Sequence, residues 1–221
     1  GVSIPVGKDS LSMKTAWKDP VTDESKSVTA PLSLVVTAFA PVTDVRGTLT
    51  PQLRTDQGDT ELVLVDLGGG ANRLGGSALA QVHGQLGDSA PDLDDPAKLA
   101  AFFRAIQALK AEGRIVAYHD RSDGGLFATV CEMAFAGRAG VTVYLDNLAL
   151  DPMQLDVDGH ERQTDVLAGG LADRILAVLF NEELGSVLQI RRQDRDAVMQ
   201  ALREAGLSRE SHVIGHPNAE G

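Results

Sequence analysis

The centre of the chain holds an apolar run, a polar loop and a helical pattern in direct succession. The run from Ile115 to Tyr118 reads as a short strand and leads into His119-Asp120-Arg121-Ser122-Asp123-Gly124-Gly125. Beyond this loop, Leu126, Val130 and Met133 recur at the spacing of one helix face, which predicts a helix. A strand-to-helix loop directs backbone N–H groups and the positive end of the helix dipole at whatever lies above it, which suits a phosphate.

The same loop carries two carboxylates, Asp120 and Asp123. A carboxylate repels a phosphate unless a hard cation lies between them, and Mg²⁺ sites combine one or two carboxylates with phosphate oxygens. Both residues are therefore candidate Mg²⁺ ligands. The alternative is an ordinary helix start, in which Asp123 or Ser122 caps the first turn and the glycines form the turn. Local chemistry leaves both interpretations open.

Composition narrows the kind of ligand. The chain has 221 residues, 43% of them hydrophobic, and a net charge of −11, which fits one large domain or one domain with a piece of another. An acidic surface repels nucleic-acid phosphates, so a phosphate ligand should be small and bound locally with a metal. No apolar run reaches the ~18 residues of a membrane span, and no secretory leader is recognisable. We expect no nucleic-acid or membrane partner and a cytoplasmic location.

The N-terminus carries a possible phosphate motif. Gly1 to Asp9 superficially resembles a P-loop, but five residues instead of four precede Gly7-Lys8, and Asp9 follows where Ser or Thr is required. A Lys and an Asp among small hydroxyl residues can serve a phosphate and a metal or form a solvated turn, and both remain possible. The chain also begins without Met, and its first residues resemble the inside of a motif, so we expect a fragment of a longer polypeptide.

A second loop is rich in glycine. The strand predicted for Glu61–Leu67 runs into Gly68–Ser77, and a helix is predicted for Ala78–His83. A dinucleotide fingerprint fits poorly, because Arg73 occupies the place of its third glycine. The loop is better explained as a turn in which two backbones, or a backbone and a phosphate, approach closely.

The remaining pattern predicts interleaved helices and strands. Asp94 or Asp95 should cap a helix that has Pro96 in its first turn and ends at Gly113, with Leu99, Phe103, Ile106 and Leu109 on its buried stripe. A buried strand is predicted for 30–40 and further strands for 141–145, 186–190 and 211–215. Helices are predicted for 195–205 and for 171–184, where the spacing favours a helix over a strand, and an irregular excursion is predicted for 151–169. The fold class is α+β, a two-layer sandwich of helices on a mixed, largely antiparallel sheet.

Two kinds of site are disfavoured. The five histidines are scattered and the single cysteine, Cys131, lies within a predicted helix, so a structural zinc is not expected. Cys131 is on neither a nucleophile elbow nor a Cys-x-x-Cys motif, which favours a core thiol over a catalytic one.

Three segments together carry a family resemblance. They are Gly1–Thr15, Ala117–Leu126 and Leu179–Gly185, with Leu74–Ser77 between them in matching order. The chain resembles the large formylglycinamide ribonucleotide amidotransferases, also called phosphoribosylformylglycinamidine synthases, of the aminoimidazole-ribonucleotide (AIR) synthetase superfamily. The resemblance implies that residues 1–46 end an AIR-synthetase-like N-terminal half and that residues 47–221 form the C-terminal domain of the second half.

The resemblance also implies a reaction. Formylglycinamide ribonucleotide, ATP and glutamine would give formylglycinamidine ribonucleotide, with ammonia delivered by a glutaminase domain outside this chain. Asp120 would bind Mg²⁺ and Ser122 a nucleotide, more specifically an auxiliary ADP, whereas no catalytic residue is expected here. The full set of expected ATP/ADP-binding residues is Ser122, Lys8, Asp9, Ser10, Ser12, Gly75, Gly76 and Ser77. The alternative is a non-catalytic scaffold module.

Overall fold

The computed structural model describes residues 3–7, 13–29, 35–149 and 170–218. The chain divides into two compact units, Gly1–Thr43 and Asp44–Gly221. The domain boundary expected after residue 46 stays a prediction.

The first unit contains an antiparallel hairpin of β1 (Lys14–Lys18) and β2 (Ser25–Thr29). Its turn is organised by the Asp19 carboxylate, which accepts the N–H groups of Val21 and Thr22 at 2.9 and 3.1 Å. The polar residues around Asp19 therefore form the tip of this hairpin.

The strand expected for residues 30–40 is wrong over 35–40, which have no regular secondary structure and are exposed; residues 30–34 lie outside the described ranges. β-Branched residues suit a strand, but a strand forms only where a partner completes its hydrogen bonds.

The second unit alternates helices and strands. In chain order they are β3 (Thr60–Asp66), α1 (Ala78–Val82), α2 (Pro96–Ala111), β4 (Ile115–Asp120), α3 (Gly125–Gly137), β5 (Gly140–Val143), α4 (Asp146–Ala149), α5 (Gly170–Phe180), β6 (Gly185–Arg191), α6 (Arg195–Glu204) and β7 (Ser211–Asn218). Short 3₁₀ turns occupy Val45–Gly47 and Arg192–Asp194. The irregular excursion expected for 151–169 lies outside the described residues.

Five strands form one sheet in the order β4-β6-β3-β7-β5, and each neighbouring pair is antiparallel. β3 lies at its centre, with Val63 opposite both Leu188 of β6 and Val213 of β7. Because β3 and β4 both end at the same edge of the sheet, beside the start of β6, the loops that follow them are neighbours.

Side chains alternate across β3 into two cores. Val63 and Val65 belong to a core with residues of α2 and α6, whereas Leu62 and Leu64 belong to a core with residues of α3 and α5. The α+β class is confirmed. Helices cover both faces of the sheet, which adds a second helical layer to the expected two-layer arrangement.

Helix α2 shows how local and tertiary information differ. Asp95 caps it as predicted, accepting the N–H groups of Ala97 and Lys98 at 2.9 and 3.2 Å. The expected core position Phe103 is wrong, because Phe103 is 62% exposed and Phe102 is 7% exposed. Helical spacing is compatible with either Phe102 or Phe103 on the buried face of α2, and the position of the sheet determines which of the two is buried.

Candidate functional site

Strand β4 ends at Asp120, the predicted metal ligand. Asp120 is exposed, and one of its carboxylate oxygens, Oδ1, accepts a hydrogen bond from the Tyr118 hydroxyl at 2.5 Å. His119 points to the other face, where its Nε2 lies 2.7 Å from Glu132 Oε2 of α3. Burial, and then the hydrogen bond to Asp120, raises the pKa of the Tyr118 phenol, so this hydroxyl keeps its proton and acts as the donor.

The start of α3 is not capped as the simpler interpretation expected. Its N-cap is Gly124, with φ of +86°, and no side chain caps it. The Gly124 N–H donates instead to Glu182 Oε1 at 2.8 Å, and the Gly125 N–H donates to the Ser122 carbonyl at 2.9 Å. A cap by Ser122 or Asp123 is therefore wrong, and both of these residues are exposed.

Arg121, between Asp120 and Ser122, points into the protein. Its Nε donates to the Glu183 carbonyl at 2.6 Å, and its Nη2 lies 2.5 Å from Asp66 Oδ1 at the end of β3. The Asp66 carboxylate also accepts the N–H groups of Gly68 and Gly70 at 3.2 and 2.9 Å. One buried ion pair thus joins the loop after β4 to the glycine-rich loop after β3.

The predicted nucleotide residues of the glycine loop make contacts within the protein. Gly75 and Gly76 donate their N–H groups to the carbonyls of Ser89 and Leu86 at 2.6 and 2.7 Å. A Cβ on Gly75 would lie 2.5 Å from the Ser89 backbone, which confirms the close approach of two backbones predicted here. Ser77 is buried and caps α1, accepting the Ala80 N–H at 3.2 Å. Nucleotide contacts by these residues stay predictions.

The segment 181–185, which runs from the end of α5 to the first residue of β6, joins the two loops. Glu182 Oε1 accepts the N–H of Ala78, at the start of α1, as well as that of Gly124, both at 2.8 Å. Asn181 Nδ2 donates to Asn72 Oδ1 in the glycine loop at 3.0 Å. The N-termini of α1 and α3 therefore share one carboxylate as their anionic partner.

Glu183 is the most buried charge of this segment. Its side chain is 0% exposed, and its two oxygens lie 2.7 and 2.8 Å from Nε and Nη2 of Arg73. Arg73 also lies 2.8 Å from Asp94, and hydrogen bonds with Glu183 and then Asp94 raise the pKa of the Arg73 guanidinium. A Cβ on Gly68 would lie 2.7 Å from the Glu183 side chain, so glycine is needed there.

The sequence interpretation did not assign segment 181–185 to the site. Three successive polar residues between an apolar helix and an apolar strand were a usable signal, because polar side chains so close to a core need partners. Likewise, strand alternation places Tyr118 and Asp120 on one face of β4, which the sequence alone could have indicated.

The remaining residues predicted to bind nucleotide belong to the N-terminal motif. Lys8, Asp9, Ser10 and Ser12 lie outside the described residues. Within the described ranges no group of three or more His, Cys, Asp or Glu residues could hold a metal ion.

Cys131 lies within α3 and is half-buried. No helix in the described part of the chain is long and apolar enough to cross a membrane.

Two family models match the chain. Residues 59–221 match the AIR synthase related protein C-terminal domain, and residues 1–41 match the FGAR-AT PurM_N-like domain. The first match covers well over half of the chain, which therefore belongs to the family of AIR synthase related proteins through this C-terminal domain.

Solved structures of PurL from Thermotoga maritima share the fold. The chain is 15% identical to PurL complexed with FGAR, at a TM-score of 0.54, covering 89% of this chain and 27% of that one. The chain is 14% identical to PurLQS, at a TM-score of 0.53, covering 89% of this chain and 25% of that one. It is 13% identical to PurL complexed with ATP, at a TM-score of 0.50, with the same two coverages. The chain thus spans about a quarter of the length of these proteins.

Proposed function

We propose that this chain is part of an ATP-dependent ligase that converts formylglycinamide ribonucleotide and glutamine into formylglycinamidine ribonucleotide in purine biosynthesis. Within it, the chain would contribute a Mg²⁺-nucleotide site. Support comes from the match of residues 1–41 to an FGAR-AT domain and from the likeness in fold to PurL structures complexed with FGAR, ATP and ADP.

The observation that carries this proposal is the division of the loop after β4 into inward and outward residues. Arg121 is 7% exposed and fixes the loop from inside, whereas Asp120 and Ser122 on either side of it are exposed. A role in supporting the fold accounts for the buried Arg121. It does not account for the exposed carboxylate of Asp120 and the exposed hydroxyl of Ser122 on either side of it.

The donors of this loop fit magnesium. A carboxylate and a hydroxyl are hard oxygen donors, and Mg²⁺ in nucleotide sites keeps several waters and takes one or two carboxylates beside phosphate oxygens. When bound, the ion would neutralise phosphate charge that Asp120 alone would repel. Asp120 would supply a carboxylate oxygen and Ser122 a contact to the nucleotide, which we assign as an auxiliary ADP.

Other parts of the site would come from elsewhere. Lys8, Asp9, Ser10 and Ser12 would face a nucleotide or the reacting centre, and ammonia would come from a glutaminase domain, since Cys131 sits inside a helix rather than on a nucleophile elbow. A cytoplasmic location remains part of the proposal.

The test measures nucleotide in the intact purified protein. Wild type, Asp120→Asn and Asp196→Asn are denatured, and released ADP and Mg²⁺ are quantified alongside ligase turnover. We expect Asp120→Asn to lose both ligands. The control Asp196→Asn changes an exposed carboxylate of α6, outside the loop, and should retain both.

A second candidate is a scaffold module that only supports a catalytic unit. It is favoured by the backbone donors of Gly75, Gly76 and Gly124, which all have acceptors inside the protein. In this case Asp120→Asn would leave ADP and Mg²⁺ content unchanged, which would reject the nucleotide site.

A further inference from the structure

Tyr118 and Asp120 form a pair on one face of β4, and the tyrosine hydroxyl donates to Asp120 Oδ1. We propose that Tyr118 is a positioning residue for the cation site: its hydroxyl holds Oδ1 of Asp120 in one orientation, which would leave Oδ2 available to a cation. This inference rests on the proposed function, because it assumes that Asp120 binds Mg²⁺.

The phenol ring is well anchored. Tyr118 packs against the core that contains Val63 and Leu188, and it lies opposite Leu188 in the β4–β6 pairing. Its backbone N–H donates to the Thr50 carbonyl at 2.9 Å. A ring held by core contacts and by its strand offers a hydroxyl in a defined position.

Asp120 needs such a partner because its own surroundings constrain it little. It is the last residue of β4 and is exposed, so its carboxylate has several staggered orientations available. A donor on one oxygen selects an orientation before the cation arrives. Partners of this kind behind a metal ligand typically contribute about 10–100-fold to metal affinity.

The neighbouring residues do not provide the same support. His119 lies on the opposite face with Glu132, and Arg121 turns inward to Asp66. Tyr118 is therefore the residue of β4 that both reaches the Asp120 carboxylate and is fixed by the core.

The experiment measures ADP binding to the intact protein as a function of Mg²⁺ concentration. Tyr118→Phe removes the hydroxyl and keeps the ring. We expect the Mg²⁺ concentration for half-maximal ADP binding to rise about 10–100-fold, with full binding restored at saturating Mg²⁺. A merely structural role would lower binding at every Mg²⁺ concentration.

The chain offers a matched control, since Tyr144 is its other tyrosine. The Tyr144 hydroxyl lies 3.1 Å from His216 Nδ1, so Tyr144→Phe also removes one hydrogen-bonding hydroxyl. Its Mg²⁺ dependence should equal that of wild type.

The variant Asp120→Asn distinguishes the positioning role of Tyr118 from the proposed metal site at Asp120. If this variant abolishes Mg²⁺-dependent ADP binding while Tyr118→Phe shifts the Mg²⁺ midpoint by less than twofold, the positioning role is wrong and the metal site stands. A loss in Tyr118→Phe that saturating Mg²⁺ does not restore also overturns the inference. If Asp120→Asn binds like wild type, the proposed function itself fails.

Discussion

Replacing Arg73 by methionine tests whether segment 181–185 holds the glycine loop. Arg73→Met leaves the Glu183 carboxylate, 0% exposed, without its cationic partner. Breaking a buried ion pair on one side costs about 3–5 kcal/mol, because the remaining charge is desolvated and uncompensated. For a unit of this size each kcal/mol lowers Tm by roughly 2–4 °C, so we expect a decrease of about 6–20 °C.

The assay is thermal and urea unfolding of the purified protein, followed by circular dichroism. The matched control is Arg46→Met, since Arg46 pairs with Asp44 but its side chain is 87% exposed, and solvent screening leaves such surface pairs with little effect on stability. The double variant Arg73→Met/Glu183→Met removes both charges and should be more stable than Arg73→Met alone. If Arg73→Met loses less than about 1 kcal/mol, the buried pair does not stabilise the loop as argued.

Two further predictions concern α2. Phe102→Ala should destabilise by about 3–5 kcal/mol, whereas Phe103→Ala should stay within about 0.5 kcal/mol, which urea unfolding distinguishes directly. The Lys98 ammonium lies 2.6 Å from Glu210, and this hydrogen bond raises the pKa of Lys98 above its ordinary 10.5. The folded state therefore binds more protons than the unfolded state above that value, so this stabilisation is present below pH 10.5 and is lost as pH rises through the folded pKa. Unfolding from pH 9 to about 12 should show a steeper loss for wild type than for Lys98→Met, and equal slopes would contradict the assignment.

Much of the second unit was predictable because its signals are local. The two ends of α2 are marked by Asp95 and Pro96 at its start and by Gly113 after its end. The apolar run of β3 indicates a strand whatever its position in the sheet. Hydrogen-bond caps and backbone preferences act over a few residues, so they do not depend on the rest of the fold.

The wrong predictions for residues 35–40 and for Phe103 have one physical cause: tertiary packing partners, which local sequence does not specify, decide both. The run 30–40 has the composition of a buried strand, yet residues 35–40 have no regular structure, since strand composition does not supply a pairing partner. Similarly, helical spacing admits either Phe102 or Phe103 on the buried face, and the position of the sheet decides.

The candidate site divides in the same way. The sequence by itself determined a strand, a polar loop with Asp120 and Ser122, and a helix, because the order of residues and their periodicity specify these directly. Only the tertiary structure decided that Arg121 turns inward, that Glu182 joins the starts of α1 and α3, and that Glu183 neutralises Arg73. These contacts link residues about 60–110 positions apart, and a sheet edge that brings β3, β4 and β6 together is what makes them neighbours.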